Sequence, residues 1–432
     1  LGLPGSLPQG NLEAVRLAVR AAAALDCSIN LVSEFDRKNY FYSDLPKGYQ
    51  ITQQYYPLGK NGLFKVLLEN EETKEVRINR IHLEEDTAKQ FHDGGRTRID
   101  FNRAGTPLVE VVTEADFRNG HEAAAYVDAF RLLVVHQGVS DAVMAEGSLR
   151  CDINISLRPK GQEAFGTKVE IKNLNSISNI QKAIDFEIDR QTAMLEKGEA
   201  IVQETRRFDE ASETTVRMRV KDEAVDYRYF RDANIPNIRI PDAILEAEIV
   251  ERPFDRMMRY QKDYGLSLYD AKVLVQNKEL ADYFDVIASK SKAYKQIVNW
   301  LTQDVLAVYD QKGDRNLDEW ITPDHFLELI EALEEGTISS KQAKKVFEAL
   351  CEGKSPKAYI EEQGMVQIND EALIRSWIEE ILEGNPQVVE DYRNGLKKSM
   401  GFVVGQIMKR SKGQANPRLS SQLVKEILDS KV

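Results

Sequence analysis

The hydrophobic pattern of this chain changes near residue 250, and the change limits which folds the chain can adopt. Before that point, short segments alternate apolar and polar residues, as β-strands with one buried face do. After it, apolar residues recur every three or four positions, as they do along one side of a helix. The sequence therefore predicts an α+β region followed by an all-α region.

The strand patterns before residue 250 predict a mostly antiparallel sheet. The clearest is LRCDINISLR, residues 149–158, where apolar and polar side chains alternate throughout. The segments NGLFKVLL and KEVRINRIHLEE flank the polar ENEET and predict a β-hairpin. Two helical patterns, EAAAYVDAFRLLVVHQG and NIQKAIDFEIDRQTAML, lie among the strands. Antiparallel strands with helices on one side are typical of α+β domains.

The helical patterns after residue 250 have recognisable ends. In TPDHFLELIEALEEG, Thr322 can cap the helix, Pro323 suits its first turn and Gly336 follows its end. In DEALIRSWIEEILEGNP, three apolar residues form the predicted stripe: Leu373, Trp377 and Ile381. These patterns predict two successive helical units that divide between residues 353 and 363.

Composition excludes several classes of protein. A content of 42% hydrophobic and 30% charged residues is typical of globular proteins, and no segment approaches the roughly 18 apolar residues of a membrane helix. The three cysteines are far apart, which disfavours a disulfide framework and a zinc site made of these residues alone. A net charge of −12 excludes a general coat for nucleic acid.

Three acidic residues, Glu84, Glu85 and Asp86, follow His82 at the end of the predicted hairpin. One interpretation is a solvated turn, where acidic triplets are common. The other is a cation site, because crowded carboxylates repel one another unless a positive ion lies between them. If the segment is a strand, His82 and Glu84 share a face, roughly 6.5–7 Å apart. The triplet alone leaves both interpretations open.

Other predicted strands add polar residues of the same kinds: Glu110 and Glu114 from TPLVEVVTE, Glu170 from TKVEIKN, and Arg150, Asp152 and Asn154 from residues 149–158. Carboxylates together with Arg, Lys and Asn can hold Mg²⁺ and polyphosphate. The alternative is a hydrated sheet face without a ligand. The chain has no P-loop, no GxGxxG at a helix start, no HExxH and no GxSxG, so those nucleotide and hydrolase sites are disfavoured.

Two segments interleave aromatic and basic residues: FDRKNYFYSDLPKGYQITQ, residues 35–53, and DYRYFRDANIP, residues 226–236. Such a pattern can stack on the bases of a nucleic acid and neutralise its phosphates. It is equally typical of a packed tyrosine-rich loop, and the sequence leaves both interpretations open.

Nine segments of the chain appear in an order that matches one known family. They are LGLPGSLP, FDRKNYFYSDLPKGYQITQ, HLEEDTAK, DFNRAGTPLVEVVTEAD, EGSLRCDINISLRP, GTKVEIKNLNS, QETRRFDE, DYRYF and MGFVVGQIMKRSKGQANP. Over essentially its whole length the chain resembles the B subunits of the aspartyl/glutamyl-tRNA amidotransferases. The related archaeal E subunits carry an inserted domain before the helical region. No such insertion is visible in this sequence, so the B-subunit family is preferred.

The resemblance implies a function within a heterotrimer. An A subunit hydrolyses glutamine or asparagine and releases ammonia, and a small C subunit braces the pair. The B subunit binds Glu-tRNA(Gln) or Asp-tRNA(Asn) and phosphorylates the side-chain carboxylate with ATP and Mg²⁺, and ammonia then displaces the phosphate. The chain is thus expected to belong to an ATP-dependent carbon–nitrogen ligase with glutamine as amido donor. We expect it in a bacterial cytoplasm or an organelle, without membrane contact.

The resemblance also implies three domains, in the order of the patterns above. They are a cradle domain with kinase and transamidase roles at residues 1–252, a helical domain at residues 253–358 and a tRNA-binding tail domain at residues 359–432.

By position in the matched segments, Glu84, Glu85 and Glu170 fall where the family keeps its metal and transamidation carboxylates. The resemblance therefore implies that Glu84 and Glu85 are catalytic and that Glu85 and Glu170 bind Mg²⁺. Lys38 matches a position near the mouth of the ammonia channel and joins the catalytic set. Two basic residues are our own candidates for neutralising the phosphates of ATP: Arg150 and Lys168.

Two features of the family lie before Leu1: a first strand with Glu-Val-His, whose histidine helps to hold the metal, and in many members paired cysteines that bind zinc. We expect both to precede the present sequence in its gene. If the strand is truly absent, the chain is a scaffold that binds tRNA without turnover, which is the alternative function. Ser43 and Arg231 replace prolines that are common in the family.

Charge reverses near the end of the chain. Residues 391–432 hold nine Lys or Arg and three Asp or Glu, a net of +6, whereas residues 361–390 hold eight acids and one Arg. Positive charge attracts phosphate and makes binding depend on salt. The segment KRSKGQANPR is therefore predicted to contact tRNA through four residues: Lys409, Arg410, Lys412 and Arg418. The alternative is a basic helix pair that only improves solubility.

Overall fold

The computed structural model describes residues 6–220, 226–246, 250–312, 316–365, 368–394, 396, 398–411 and 413–431. It forms two compact units, Leu1–Met258 and Arg259–Val432. The first combines sheets with helices and the second is built of helices, so the predicted α+β class is confirmed. The finer division at residues 252 and 358 stays a prediction.

The elements of the first unit begin with a helix and then alternate between strands and helices. Its strands are β1 (Ser28–Ile29), β2 (Val32–Ser33), β3 (Asp36–Asn39), β4 (Tyr49–Thr52), β5 (Gly59–Leu67), β6 (Thr73–Glu85), β7 (Lys89–Asp93), β8 (Arg96–Asp100), β9 (Pro107–Thr113), β10 (Ile153–Ile155), β11 (Val169–Lys172), β12 (Glu204–Asp209), β13 (Thr214–Val220), β14 (Phe230–Arg231) and β15 (Ile238–Arg239). Its helices are α1 (Leu12–Ala24), α2 (Gly120–His136), α3 (Ile177–Glu196) and α4 (Asp242–Leu245).

Helices follow one another from the unit boundary onward. They are α5 (Pro253–Tyr264), α6 (Leu268–Gln276), α7 (Lys278–Ala288), α8 (Tyr294–Trp300), α9 (Leu306–Lys312), α10 (Leu317–Trp320), α11 (Pro323–Glu334), α12 (Ser340–Cys351), α13 (Pro356–Glu362), α14 (Glu371–Gly384), α15 (Gln387–Arg393), α16 (Lys398–Arg410) and α17 (Pro417–Lys431), with a π-helical turn at Leu301–Val305. Among the residues described, none of the helices is long and apolar enough to cross a membrane.

Two four-stranded sheets carry the predicted acidic site residues, Glu84, Glu85 and Glu170. In the first, the order is β1-β5-β6-β9 and all neighbours are antiparallel, so the predicted hairpin is confirmed as β5 and β6. In the second, the order is β10-β11-β12-β13, where β11 and β12 are parallel and the outer pairs are antiparallel. Smaller sheets join β14-β3-β4, β15-β2 and β7-β8.

The strand predicted at residues 149–158 is much shorter in the structure. Only Ile153–Ile155 form β10, an edge strand that pairs with three residues of β11. Leu149 and Cys151 still pack against the hydrophobic core, although they lie before the strand. The alternation in the sequence therefore reports which side chains face the core, and it extends further than the strand pairing.

Helix α1 ends close to β5 because that strand carries glycine at the points of contact. A Cβ atom at Gly62 would lie 2.5 Å from the Sγ atom of Cys27 and 2.5 Å from the carbonyl oxygen of Leu25. A Cβ atom at Gly59 would lie 2.9 Å from the Cγ2 atom of Ile81, its partner on β6. Both positions thus require glycine for the observed packing.

The predicted helix ends in the second unit agree with the structure. The predicted buried stripe of α14 does not. Thr322 caps α11 and Pro323 is the first residue of that helix. In α14 the buried residues are Ile374, Ile378 and Leu382, each one position after the predicted stripe. They form one hydrophobic cluster with residues of α15, α16 and α17, and that packing selects between two adjacent apolar stripes.

Candidate active site

The end of β6 places the predicted acids in a strand. Successive side chains of a strand point to opposite faces, so His82 and Glu84 share one face and Glu85 lies on the other. The neighbouring strand β9 brings Glu110 opposite His82 and Pro107 opposite Glu85. Glu84 and Glu85 are half-buried members of the sheet, in contrast to the solvated-turn interpretation.

Glu85 is held by groups of β4 and of the segment just before it. Its Oε1 atom accepts hydrogen bonds from Lys47 Nζ at 2.6 Å and from the backbone N–H of Ile51 at 2.9 Å. Gln50 donates through Nε2 to the backbone oxygen of Glu85 at 2.7 Å. Two donors thus fix the position of one oxygen of this carboxylate.

His82, Glu84 and Glu110 bring three ligand atoms together. The Nε2 atom of His82 lies 3.9 Å from an oxygen of Glu84 and 3.8 Å from an oxygen of Glu110. Ligand atoms of all three residues lie within 4.8 Å of one another. A neutral imidazole and two carboxylates form a donor set that divalent cations accept.

The same surroundings change the acidity of this group. Burial raises the pKa of Glu84 to about 7, and the nearby carboxylate of Glu110 adds to the rise. Burial lowers the pKa of His82 to about 3, and the charges of Arg80 and Lys38 lower it further. Near neutral pH the imidazole is therefore uncharged, and Glu84 exchanges a proton readily.

A cavity of about 230 Å³ lies against the two adjacent acids. Lys47, Glu84 and Glu85 line it together with apolar residues and the segment before α1. Asn11 belongs to that segment and also caps α1 by accepting hydrogen bonds from the backbone N–H groups of Glu13 and Ala14. The lining thus combines two acidic residues and a lysine with apolar residues.

The third acid of the triplet faces a different set of residues. Asp86 is buried and accepts a hydrogen bond from Arg150 Nη2 at 2.7 Å, and Arg103 Nε lies 3.4 Å away. Arg150, which the sequence suggested as a partner of ATP phosphates, is thus engaged with Asp86 in the structure. Its proposed contact with phosphate stays a prediction.

Glu170 lies on β11, in the second sheet rather than the first. Its Oε2 atom accepts a hydrogen bond from the hydroxyl of Thr205 at 2.9 Å, and its Oε1 atom lies 3.4 Å from Lys172 Nζ. Lys168 precedes β11 and is exposed. A metal ion bound by both Glu85 and Glu170 would have to join two sheets, and this site stays a prediction.

Lys38 lies on β3 among tyrosine rings. Its Nζ atom is 4.8 Å from the ring centre of Tyr227 and 5.6 Å from that of Tyr40, and the two rings pack edge to face. Strand β14 pairs with β3, so the two aromatic and basic segments pack against each other. The packed-loop interpretation is therefore correct for these rings, although Phe41 remains 97% exposed.

The predicted tRNA-binding residues differ in their ion pairing in the structure. Lys409 and Arg418 are exposed at the end of α16 and the start of α17. Arg410 instead forms a 2.5 Å ion pair with Glu380 of α14. Lys412 lies outside the described residues. Contact of these residues with tRNA stays a prediction.

Sequence reasoning did not assign roles to Lys47 or Thr205, although each contacts a predicted site carboxylate. Lys47 was visible only as one basic residue of an aromatic segment. Thr205 was visible only as part of the motif QETRRFDE. Strand register, which no local pattern reports, pairs Thr205 with Glu170.

Comparison with known proteins assigns the chain to a family. The family model described as the GatB/GatE catalytic domain matches residues 1–246, and that described as the GatB domain matches residues 282–428. The chain is 46% identical over 433 residues to the aspartyl/glutamyl-tRNA(Asn/Gln) amidotransferase B subunit of Persephonella marina, covering 99% of this chain and 91% of the relative.

Two further relatives with the same name agree. The protein of Geobacillus thermodenitrificans is 47% identical over 436 residues, and that of Oceanobacillus iheyensis is 48% identical over 437 residues. Each comparison covers 100% of this chain and 91% of the relative. Identity of this extent, over nearly the full length of both chains, shows that the chain belongs to the family of aspartyl/glutamyl-tRNA(Asn/Gln) amidotransferase B subunits.

Proposed function

We propose that this chain binds Glu-tRNA(Gln) or Asp-tRNA(Asn), activates the side-chain carboxylate of the attached amino acid with ATP, and transfers ammonia to it. The products are Gln-tRNA(Gln) and Asn-tRNA(Asn). Relatives named as amidotransferase B subunits support this role in translation. The chain acts with an A subunit that supplies ammonia from glutamine and a C subunit that braces the pair, in a bacterial cytoplasm or an organelle.

The observation that carries this proposal is that two adjacent acidic residues line one cavity. Glu84 and Glu85 both line it, and Lys47 supplies a positive charge beside them. Activation of a carboxylate by ATP gathers several negative oxygens in one place. Such chemistry needs cations and a positioned proton acceptor rather than a protein nucleophile.

Glu84 is suited to accept a proton during the second half of the reaction. Ammonia that attacks the acyl phosphate must lose a proton as the amide forms, and the phosphate leaves with the electron pair of the broken C–O bond. A base is most effective when its pKa lies near the working pH. Burial raises the pKa of Glu84 to about 7, which meets this condition. The ammonium group of Lys38 is near enough to oppose that rise.

Magnesium fits the donors that this part of the chain presents. Glu85 and Glu170 are its proposed ligands, and the oxygens of Glu84 and Glu110 are donors of the kind that Mg²⁺ prefers. A bound Mg²⁺ supplies positive charge to the phosphates of ATP. Arg150 and Lys168 are proposed to add to that charge.

The experiment that tests the proposal replaces Glu85 by Gln in the assembled complex of the three subunits. Glu85→Gln keeps the shape of the side chain but removes its charge. ATP-dependent amide formation with free ammonia should then fall about 100-fold or more, while tRNA binding survives. The matched control is Glu75→Gln, on the same strand but more than half exposed, which should leave the rate unchanged.

Two outcomes contradict the proposal. Unchanged amidation by Glu85→Gln removes that residue from the reaction. A wild-type complex that binds misacylated tRNA tightly, yet forms no amide with ATP, Mg²⁺ and ammonia, identifies the chain as a scaffold instead.

The purified chain without its A subunit should not hydrolyse glutamine, because its sequence has no motif of an activated serine or cysteine nucleophile.

A further inference from the structure

Thr205 lies directly beside Glu170 in the second sheet. Strands β11 and β12 run parallel, and their register pairs Glu170 with Thr205. The hydroxyl of Thr205 donates a hydrogen bond to the Oε2 atom of Glu170 at 2.9 Å. The contact joins residues 35 positions apart in the sequence, and the sheet brings them together.

The hydroxyl of Thr205 is buried, so it depends on this hydrogen bond. Thr205 is only 1% exposed, and a buried hydroxyl needs a hydrogen-bond partner. The other oxygen of Glu170 lies 3.4 Å from Lys172 Nζ, whose closer partner is Asp152 at 2.7 Å. Glu170 is thus contacted on both oxygens, and the contact to Thr205 is the shorter one.

The strand that carries Thr205 is itself fixed from its other face. Glu204 and Arg206, on either side of Thr205, belong to a buried ionic group with Glu187 of α3. The register between β12 and β13 shifts between Thr205 and Arg206, as at a β-bulge. Bulges redirect side chains and are common next to active sites. Thr205 therefore presents its hydroxyl from a rigid support.

We propose that Thr205 is a positioning residue that fixes the carboxylate of Glu170 in the orientation that binds the divalent cation. The inference rests on the proposed function, in which Glu170 is a ligand of Mg²⁺. A carboxylate has about four lone-pair sites, so it can accept one hydrogen bond and still bind an ion. Thr205 itself contacts neither substrate nor metal. It limits the rotation of Glu170, and the cation then meets an oxygen that is already in place.

The test compares Thr205→Val with Thr205→Ser in the assembled complex of three subunits. Valine keeps the branched shape that suits a strand but removes the hydroxyl, whereas serine keeps the hydroxyl. Binding of Mn²⁺, used in place of Mg²⁺, is measured by the loss of the free-ion signal in electron paramagnetic resonance. Thr205→Val should weaken binding about tenfold, as removal of an orienting partner of a metal ligand does, and Thr205→Ser should largely restore it.

A kinetic measurement gives a second readout. The Mg²⁺ concentration for half-maximal amidation should rise about tenfold in Thr205→Val, in step with the loss of affinity. At saturating Mg²⁺ the rate should return close to that of the wild type. A loss of structure would instead lower the maximal rate and leave the Mg²⁺ dependence unchanged.

The matched control is Thr215→Val on the neighbouring strand β13. Thr215 is also buried and also donates to a buried carboxylate, that of Glu187, which is outside the proposed site. We expect it to lower thermal stability as much as Thr205→Val does, with unchanged Mn²⁺ affinity. Equal weakening of Mn²⁺ binding by both variants would overturn the proposal, because the effect would then be general.

Glu170→Gln separates failure of this inference from failure of the proposed function. If Glu170→Gln abolishes Mn²⁺ binding and Thr205→Val leaves it unchanged, Thr205 does not position Glu170, although the role of Glu170 stands. If Glu170→Gln binds Mn²⁺ as the wild type does, both the role of Glu170 and that of Thr205 are wrong.

Discussion

Two groups of buried acids in the first unit have opposite surroundings. Glu187 and Glu204 are almost fully buried and contact three arginines: Arg190, Arg206 and Arg217. Although burial opposes it, hydrogen bonds from Arg190 and from Thr215 hold the pKa of Glu187 below its usual value. The fold thus supplies each of these acids with a cation.

Glu84 is half-buried, and among the described residues no Lys or Arg forms a salt bridge with it. Lys38 and Arg150 lie only near enough to moderate its pKa. Its neighbours are His82, which is uncharged near neutral pH, and Glu110, which carries the same charge.

Burial that nearby cations offset only in part raises the pKa of Glu84, whereas hydrogen bonds from Arg190 and Thr215 keep that of Glu187 low despite burial. An acid whose charge the protein already balances is part of the structure. An acid whose charge is left unbalanced is available to a proton or to a cation.

The largest expected effect is on the structural group. Glu187→Gln removes one of the two carboxylates that Arg190 and Arg206 contact, and only Glu204 is left to balance them. Removing one member of a buried ion pair costs about 3 kcal/mol of unfolding free energy. Chemical denaturation of the wild type and the variant at neutral pH measures this loss. Glu196→Gln, at the exposed end of the same helix, is the control. A loss below about 1 kcal/mol would contradict the contrast between the two groups of acids.

The next effect has the opposite sign and depends on pH. Because the pKa of Glu84 is raised to about 7 in the folded chain, the folded chain binds this proton more tightly than the unfolded chain does. The contribution of Glu84 to stability is therefore present at acidic pH and is lost as pH rises through 7. Glu84→Gln removes this loss, so the variant should gain on the wild type as pH rises from 5 to 8.

The expected gain is about 1–3 kcal/mol, at 1.36 kcal/mol for each pH unit by which a pKa moves. Denaturation in the presence of EDTA measures it without interference from metal ions. His82, whose lowered pKa of about 3 makes protonation costly, destabilises both proteins as pH falls below its ordinary value. The difference between the two proteins therefore isolates Glu84. A difference that does not change with pH would show that Glu84 is not protonated in this range.

The smallest effect concerns two exposed basic residues, Lys409 of α16 and Arg418 of α17. Lys409→Ala and Arg418→Ala should each weaken tRNA binding a few-fold. Each should also reduce the slope of log affinity against log salt by about 1. Filter binding at several salt concentrations measures both quantities. Lys345→Ala, an exposed lysine of α12, is the control.

Arg410→Ala should reduce the salt slope less than either of those variants, because Arg410 already pairs with Glu380.

Point substitutions are preferable to removal of residues 391–432. That deletion takes away α16 and α17, whose apolar residues cover Ile374 and Ile378 of α14. If none of the three substitutions changes the salt slope, the basic residues serve solubility rather than tRNA.

Local periodicity was enough to predict the β5–β6 hairpin, the capped start of α11 and the shared face of His82 and Glu84. It could not predict partners that depend on register. Lys47 and Glu85 are 38 positions apart, and Thr205 and Glu170 are 35 apart, so no repeat in the sequence links them. The prediction of the buried stripe of α14 was wrong for a related reason. Two neighbouring stripes are apolar, and tertiary packing selects one of them.

The glycines of β5 affect how inactive variants of this protein will be interpreted. Gly59 and Gly62 leave no room for a methyl group, and a larger residue there must push β5 away from α1. Gly59 pairs with Ile81 of β6, and Glu84 and Glu85 follow on that strand. A displacement of β5 therefore moves the two acids as well. A random screen for inactive variants will therefore recover these two glycines beside the acids. Such variants will be inactive because the strand has shifted, and not because a glycine takes part in the reaction.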